Sequence, residues 1–556
     1  MDTPDHKALP RFELAISLAG GVSTGSWTAG VLDMLVEALD AWEEARLAGS
    51  PDAPRHEVVL SSIAGSSAGA ETATLLTIGL RSRFPHVRLR GGDPPDNALL
   101  NPLYAGWVAG ADVHDLLDVK DGSDRIFKSL LDGSCTDRIV DRALRTPENL
   151  PPLENPRRWV ADPLRVTMTV TNLEGIPLTI PTAASMPSPS FRLHADVLRF
   201  ALRGLGGTAI ARPIRPDEVE LAYPASPATL PQEWQPLTRA AAASGAFPIL
   251  LPVRVVDWPR RAYDQVRIAP PAAVDPTLPQ PAFVPLWAAA NSPQERVRFT
   301  AADGGLLNAD PVALAREPLK EMSAVLQIHP LLGKREEQPL PDARLHTAQP
   351  DRLLGALARA VLNDARVSTL DVLAAASESN LSQFMIAPAR PDDPSLKTAR
   401  ALAGASLGAF GGYLHPDYRR HDYQLGRCNA RWALMHHLTL PANHPLFDEW
   451  TDSQRDMYQV QGPVGLDRPI IPLMPRLRSI EEKSLPWPDK RDPTVNIAPL
   501  IDRRLDAVVT GLLHAYLPRS WLWRAVLRRV WGWFVARAVR NAVVRSIRKE
   551  LAAWTL

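Results

Sequence analysis

Two units of strand, glycine turn and helix follow one another at the start of this chain, and no other feature of the sequence constrains the fold as tightly. Residues 12–18 form a short apolar run with β-branched and aromatic members, closed by Ala19, Gly20 and Gly21, which suits a buried strand. Over residues 26–46, Trp27, Val31, Leu32, Leu35, Val36, Leu39 and Trp42 recur at spacings of three and four and draw one apolar stripe along a helix. The order then repeats. Val58, Val59 and Leu60 lead through Ile63 into Gly65-Ser66-Ser67-Ala68-Gly69, and the small and apolar residues of 70–80 predict a second, buried helix. Two such units in succession predict an α/β fold, a mostly parallel sheet flanked by helices.

Further strands are predicted at 164–170, 250–256, 265–268, 297–301 and 323–328. Proline accounts for 54 of the 556 residues, and the proline-rich passages 181–189, 213–236 and 269–285 read as surface excursions rather than separate domains. The chain divides into a core at 1–335, with long insertions at 81–160 and 188–300, a helical extension at 336–500 and a cationic segment at 501–556. In the extension, 352–377 alternates Leu, Ala and Val with Arg and Asp at helical spacing. Residues 401–409 are small and apolar, and a proline-rich connection runs from 463 to 499.

Charge and cysteine content disfavour several functions. With 62 basic and 61 acidic residues there is no global field toward nucleic acid, so none is expected as a partner. Cys135 and Cys428 supply neither a disulfide framework nor a cysteine zinc site, which fits a reducing compartment. The first residues are acidic with no apolar stretch behind them, so no secretory signal is expected, and no apolar run approaches the ~20 residues of a membrane span. The expectation is a cytoplasmic protein, soluble or peripheral on the inner face of the membrane.

The G-x-S-x-G pattern centred on Ser67 falls at a predicted strand-to-helix turn. Small neighbours tolerate the strained torsions of such a turn, and the helix start presents N–H groups and a positive dipole end to developing negative charge. The same small residues would also suit plain close packing of a helix on a sheet. The other glycine turn, Gly20-Gly21-Val22-Ser23-Thr24-Gly25, leaves the first strand on the same predicted edge, where its N–H groups could form an oxyanion hole. Phosphate and dinucleotide binding are disfavoured there. No lysine follows Gly25, and Val22 stands where a dinucleotide fingerprint needs its second glycine. Ser67 needs a base. His329 sits at a tempting strand end, but Asp303, followed by Gly304 and Gly305 at the end of a predicted strand, is the favoured candidate, although Asp-Gly-Gly is also an ordinary turn signal.

In combination and in order, the glycine loop at 20–25, the elbow at Ser67, the passage Ala241-Ala242-Ala243-Ser244-Gly245-Ala246-Phe247-Pro248 and Asp303-Gly304-Gly305 resemble the patatin-like phospholipase family over residues 12–330. The resemblance implies a serine–aspartate dyad that hydrolyses acyl esters of lipids or phospholipids through an acyl-enzyme intermediate. Ser67 would be the nucleophile, Asp303 the general base, and the N–H groups of Gly20, Gly21 and Val22 the oxyanion hole. Gly25, Gly65, Gly69, Gly304 and Gly305 would be motif glycines, and no metal or organic cofactor is implied. The loop departs from the family's commoner Gly-Gly-Gly-x-Arg-Gly, with Val22 in place of a glycine and Thr24 in place of the arginine. Loss of that cation leaves esterase chemistry better supported than a phospholipid headgroup preference. The alternatives are a general carboxylesterase and a catalytically inactive, membrane-associated binding protein on the same fold.

Beyond the core, Gly411-Gly412-Tyr413-Leu414 and residues 421–430 resemble a segment of larger bacterial patatin-related proteins. Arg419, Arg420, His421, Arg427 and Arg431 there would either read a phosphate headgroup or form a buried network that braces the extension. The tail, residues 519–556, carries eight Arg and one Lys against the single Glu550, with Trp521, Trp523, Trp531, Trp533, Phe534 and Trp554 among them. It reads either as an interfacial membrane anchor or as helix packed on the protein with Arg stems along apolar surface. Arg524, Arg528, Arg529, Arg537, Arg540, Arg545 and Arg548 spread over several helical faces, and Gly532 interrupts the segment.

Overall fold

The computed structural model describes residues 9–122, 128–179, 189–210, 212–264, 266–267, 282–283, 285, 296–320, 322–332, 383–390, 396, 398–463, 465–488, 494–517 and 521–554. The two predicted units form as strand β1 (Arg11–Leu18), helix α1 (Gly25–Leu47), strand β2 (Glu57–Gly65) and helix α2 (Ala68–Gly79). The chain continues through α3 (Ser134–Leu144), β3 (Arg157–Thr179), β4 (Ser190–Arg203), α4 (Gln235–Ser244), β5 (Arg254–Pro259), β6 (Arg296–Asp303), β7 (Ser323–Ile328) and β8 (Gln383–Ile386). The main path of the central sheet runs β8-β7-β1-β2-β3-β6-β5, with β4 also paired to β3. Its β8, β7, β1, β2 and β3 are parallel, whereas β6 and β4 run antiparallel to β3. The protein is therefore α/β, with a mostly parallel sheet. Burial runs unbroken from Leu14 to Leu18, as a strand covered on both faces requires.

β3 positions the site. Along one edge it pairs with β4 through Leu164–Thr171, so β2 and β6 must share the other edge. On that edge the last residue of β2, Gly65, lies opposite Met168, and the last residue of β6, Asp303, lies opposite Val170. Two strands running in opposite directions thus end two residues apart on a common neighbour, a separation of about 7 Å at the usual strand rise.

Several elements differ from expectation. The strand expected at 250–256 starts only at Arg254, because Pro248 and Pro252 cannot donate and the carbonyls of Ile249 and Leu250 instead accept from Leu130 and Leu131. The excursion at 213–236 contributes a strand, Glu218–Ala222, that adds to β4 and is pinned by the buried Arg165–Glu218 ion pair at 2.7 Å. Val266–Arg267 pairs with Ala282–Phe283 outside the main sheet. Residues 401–409, within the extension whose composition reads as helical overall, form short turns, with Leu407, Gly408 and Ala409 at positive φ. The predicted helix 352–377 and excursion residues 181–188 lie outside the described residues.

Beyond β8 the longer helices are α5 (Pro416–His436) in the extension, α6 (Thr494–Tyr516), which runs from it into the cationic segment, and α7 (Trp521–Val530) and α8 (Ala536–Trp554) in that segment, and a small three-stranded sheet lies between α5 and α6. α6 begins inside the predicted proline-rich connection and carries Pro499 within it. α5 lies against α1 with backbones in contact: a Cβ on Gly30 would overlap the Tyr423 carbonyl, and one on Gly426 the Trp27 carbonyl. Arg427 sits in this seam with its side chain wholly buried, pairing with Asp33, with Glu37 at 2.6 Å and with Glu482 at 2.7 Å. Burial alone would lower its pKa, but the three carboxylates raise it well above the usual guanidinium value. Arg419, also buried, donates to the carbonyls of Val108 and Gly412, each at 2.8 Å. Of the two readings of this cluster, the bracing network is what Arg419 and Arg427 form, and the headgroup reading falls for both.

Candidate active site

The turn between β2 and α2 is tight because small residues permit it. A Cβ on Gly69 would overlap the Leu18 carbonyl, and one on Gly65 would come within 2.7 Å of the Ala70 backbone. Ser67 occupies the corner at φ 53° and ψ −125°, torsions that an L-residue adopts only under strain. Its own N–H is held by Ser244 Oγ at 2.9 Å, from the last residue of α4. Its Oγ donates to Asp303 Oδ2 at 2.6 Å. The two residues, 236 positions apart in sequence, meet directly. Ser67 stays partly exposed while Asp303 is buried, so the hydroxyl is reachable and the carboxylate is shielded.

Asp303 is fixed at every polar atom. Its N–H donates to Ala246 O at 2.9 Å, its carbonyl accepts from Thr171 Oγ1 at 2.8 Å, and its Oδ1 accepts from Gly305 N at 2.7 Å. Gly304 is required by close approach, since a Cβ there would overlap the Thr169 carbonyl. Burial raises the Asp303 carboxyl to about 6, against the hydrogen bonds from Ser67 and Gly305, which lower it. A second carboxyl lies close by. Glu71, in the first turn of α2, is raised to about 8 by burial and by the charges of Asp303 and Asp137, with Arg254 opposing.

The glycine loop leaves β1 beside this corner, because Leu18 pairs with Gly65. A Cβ on Gly20 would lie 3.3 Å from Ser67 Cβ, so the two turns are in contact. One sequence-based assignment needs correction: the N–H of Gly20 donates to Ala309 O at 3.1 Å and is not open to an oxyanion. The N–H groups of Gly21 and Val22 make no protein hydrogen bond among the described residues, as expected ahead of the short helical turn Val22–Thr24. Val22, in place of a glycine, takes φ 50°, a strained value for a β-branched residue. The loop is clamped on both sides of it. Thr24 Oγ1 donates to Gly21 O at 2.6 Å, and Ser23 Oγ donates to Ala409 O at 2.5 Å and accepts from Gly412 N at 3.0 Å. Gly25 packs against the Trp107 ring and has no room for a Cβ.

His329 does not join the pair; it lies 4.0 Å from Asp310. Ser244 and Ser23 carry no sequence signal of their own, although Ser244 stands in the alanine-rich passage that the sequence singles out. Ile249, 71% exposed, and Leu307, 42% exposed, flank the segments that hold Asp303. An apolar cavity of about 340 Å³ is walled by Leu116, Leu131, Leu250, Tyr413, Ile501 and Val543. Two of these, Leu250 and Tyr413, follow closely on Ser244 and Gly412, the residues that hold the elbow and the loop.

Fold and site together define an α/β protein with a serine–aspartate pair where two opposed strands end. No family model matches the chain. It is similar to the uncharacterized protein y4iI of Sinorhizobium fredii (strain NBRC 101917 / NGR234), with 29% identity over an alignment that covers 98% of this chain and 83% of that protein.

Proposed function

We propose that the chain is a serine acyl hydrolase of the patatin-like type, acting on ester-linked acyl groups of lipids. The observation that carries this reading is the 2.6 Å hydrogen bond from Ser67 Oγ to Asp303 Oδ2, made by a serine held at positive φ on a strand-to-helix turn. Asp303 takes the Ser67 proton as Oγ attacks the ester carbon, and the oxyanion forms beside the N–H groups of Gly21 and Val22. Collapse expels the alcohol, which leaves with the proton from Asp303. Water, deprotonated by the same carboxylate, then attacks the acyl-enzyme, releases the acid and returns the proton to Ser67.

A carboxyl at about 6 suits this work, because it is mostly ionised at neutral pH yet retains affinity for a proton. Exposed apolar Ile249 and Leu307, on the segments that follow the residues holding Asp303, favour a lipid over a polar soluble ester. With Thr24 in the loop, the reading extends to the acyl ester and not to a headgroup. Two buried free thiols fit a reducing, cytoplasmic setting. An active-site-directed fluorophosphonate tests the reading. It should label the folded wild type and fail to label Ser67→Ala; an unlabelled wild type would remove the hydrolase assignment.

A further inference from the structure

Helix α7 is amphipathic, and it faces the wrong way for a helix of a packed domain. At about 100° per residue, Leu522, Trp523, Val526, Leu527 and Val530 share one face about 140° wide, while Arg524, Arg528 and Arg529 lie off it. In a globular domain such a stripe is buried. Here Leu522 is 58% exposed, Trp523 63%, Val526 49%, Leu527 40% and Val530 42%, and no residue of α7 is buried. Trp533, in the turn that follows, is 75% exposed.

The helix is not a loose end. Trp531 Nε1 donates to Asp506 Oδ1 of α6 at 2.7 Å, and Arg540 of α8 pairs with Asp502 of α6 at 2.8 Å. Behind it, α6 and α8 are tied to the core through buried Ile497, Ile501 and Val544. The stripe is therefore held outward by a packed base, and contiguous exposed apolar surface of this kind marks a contact surface.

Area and charge decide what covers it. A ten-residue helix is about 15 Å long and about 10 Å wide, a footprint of roughly 150 Å² against the ~800 Å² per partner of a stable protein interface. A second copy of the chain is poorly served by so small a patch. A bilayer surface needs no matching partner shape, and Trp with Arg is the pairing that settles at headgroup depth. No described helix is long and apolar enough to cross a membrane, so the seating would lie in the plane of the interface.

We propose that α7 docks the protein on an anionic lipid bilayer, with Leu522, Trp523, Val526, Leu527 and Val530 inserted at the acyl boundary and Arg524, Arg528 and Arg529 against lipid phosphates. This holds whether or not Ser67 hydrolyses an ester. Flotation of the full chain with vesicles of equimolar phosphatidylcholine and phosphatidylglycerol, and of phosphatidylcholine alone, tests it. Each arginine near an anionic surface is worth about fivefold in partition, so the three together should favour the anionic vesicles by about a hundredfold. The double substitution Trp523→Glu with Leu527→Glu should lower anionic partition at least tenfold and leave circular dichroism unchanged, because both side chains are already exposed. Trp432→Glu, at a 60% exposed tryptophan on α5, should leave partition unchanged.

A folded wild type that does not float with the anionic vesicles overturns the proposal. So does equal flotation of the double variant. Sedimentation supplies the last arm: a dimer that dissociates in the double variant, without vesicle binding, would mean that a second copy covers the stripe.

Discussion

Asp303→Asn separates what this carboxyl does for chemistry from what it does to the fold. The amide has the same shape, its Oδ1 can go on accepting from Gly305 N–H, and its Nδ2 can donate to Ser67 Oγ, so both contacts survive. The proton acceptor is lost. General-base catalysis is worth ~10²–10⁴-fold, and hydrolysis of a short p-nitrophenyl ester should fall by that much. Stability should move the other way. Burial lifts Asp303 from its ordinary 3.8 to about 6. Between those values the folded state binds more protons than the unfolded state, so stability declines as pH rises through the window and stays at the lower level above it. A tenfold change in proton affinity is worth about 1.4 kcal/mol, so the cost at pH 8 is about 3 kcal/mol. The variant, uncharged in both states, should gain about that much at pH 8 and almost nothing at pH 4, read from urea unfolding at each pH. A variant that keeps a tenth of wild-type activity refutes the base assignment. One that is less stable than wild type at pH 8 refutes the argument from burial.

Glu71 is lifted to about 8, chiefly by burial. Folding therefore retains a proton that the unfolded chain releases near 4.5, and stability falls as pH climbs from there to about 8. Glu71→Gln should flatten that decline in melting temperature, and an unchanged slope would place its origin elsewhere. Arg427→Ala removes the wholly buried cation shared by Asp33, Glu37 and Glu482 in the seam between α1 and α5, and leaves Glu37 and Glu482 to Arg88 and Asp33 to His86 and Asn101. The expected loss in a urea melt is about 3–5 kcal/mol, and a loss below about 1 kcal/mol would mean that the network is not needed.

The first two units were legible because glycines punctuate them: Gly20–Gly21 and Gly65 mark where strand gives way to turn, and the helical stripe of α1 is regular. Ser67 and Asp303 were legible as motif residues, but their meeting was not. It depends on the register of β3, where Met168 and Val170 face the ends of two opposed strands, and register between distant segments leaves no local trace. Residues 401–409 depart from the helical composition of the extension because contacts with Ser23 hold this stretch in turns with left-handed residues. The face of α7 was harder to read. A wider π turn at Trp531–Val535, around Gly532, shifts the helical phase, so arginines counted along the whole tail spread over several faces, and the exposed stripe emerges when α7 is taken by itself.

Two strained residues sit on the two touching turns of the candidate site, Val22 at φ 50° and Ser67 at φ 53°. Such torsions cost about 1–3 kcal/mol each and persist only where the surroundings over-determine them. For Ser67 the restraint comes from Ser244 and from glycines that let α2 approach β1. For Val22 it comes largely from outside the first 335 residues: Ala409 and Gly412 grip Ser23, and α5 lies backbone to backbone on α1 directly behind the loop. The sheet makes the same point, since β8 at Gln383–Ile386 closes its edge. The extension is thus part of the scaffold that keeps Gly21 and Val22 open beside the serine. A valine can occupy a glycine's place in this loop because a second region of the chain holds it there.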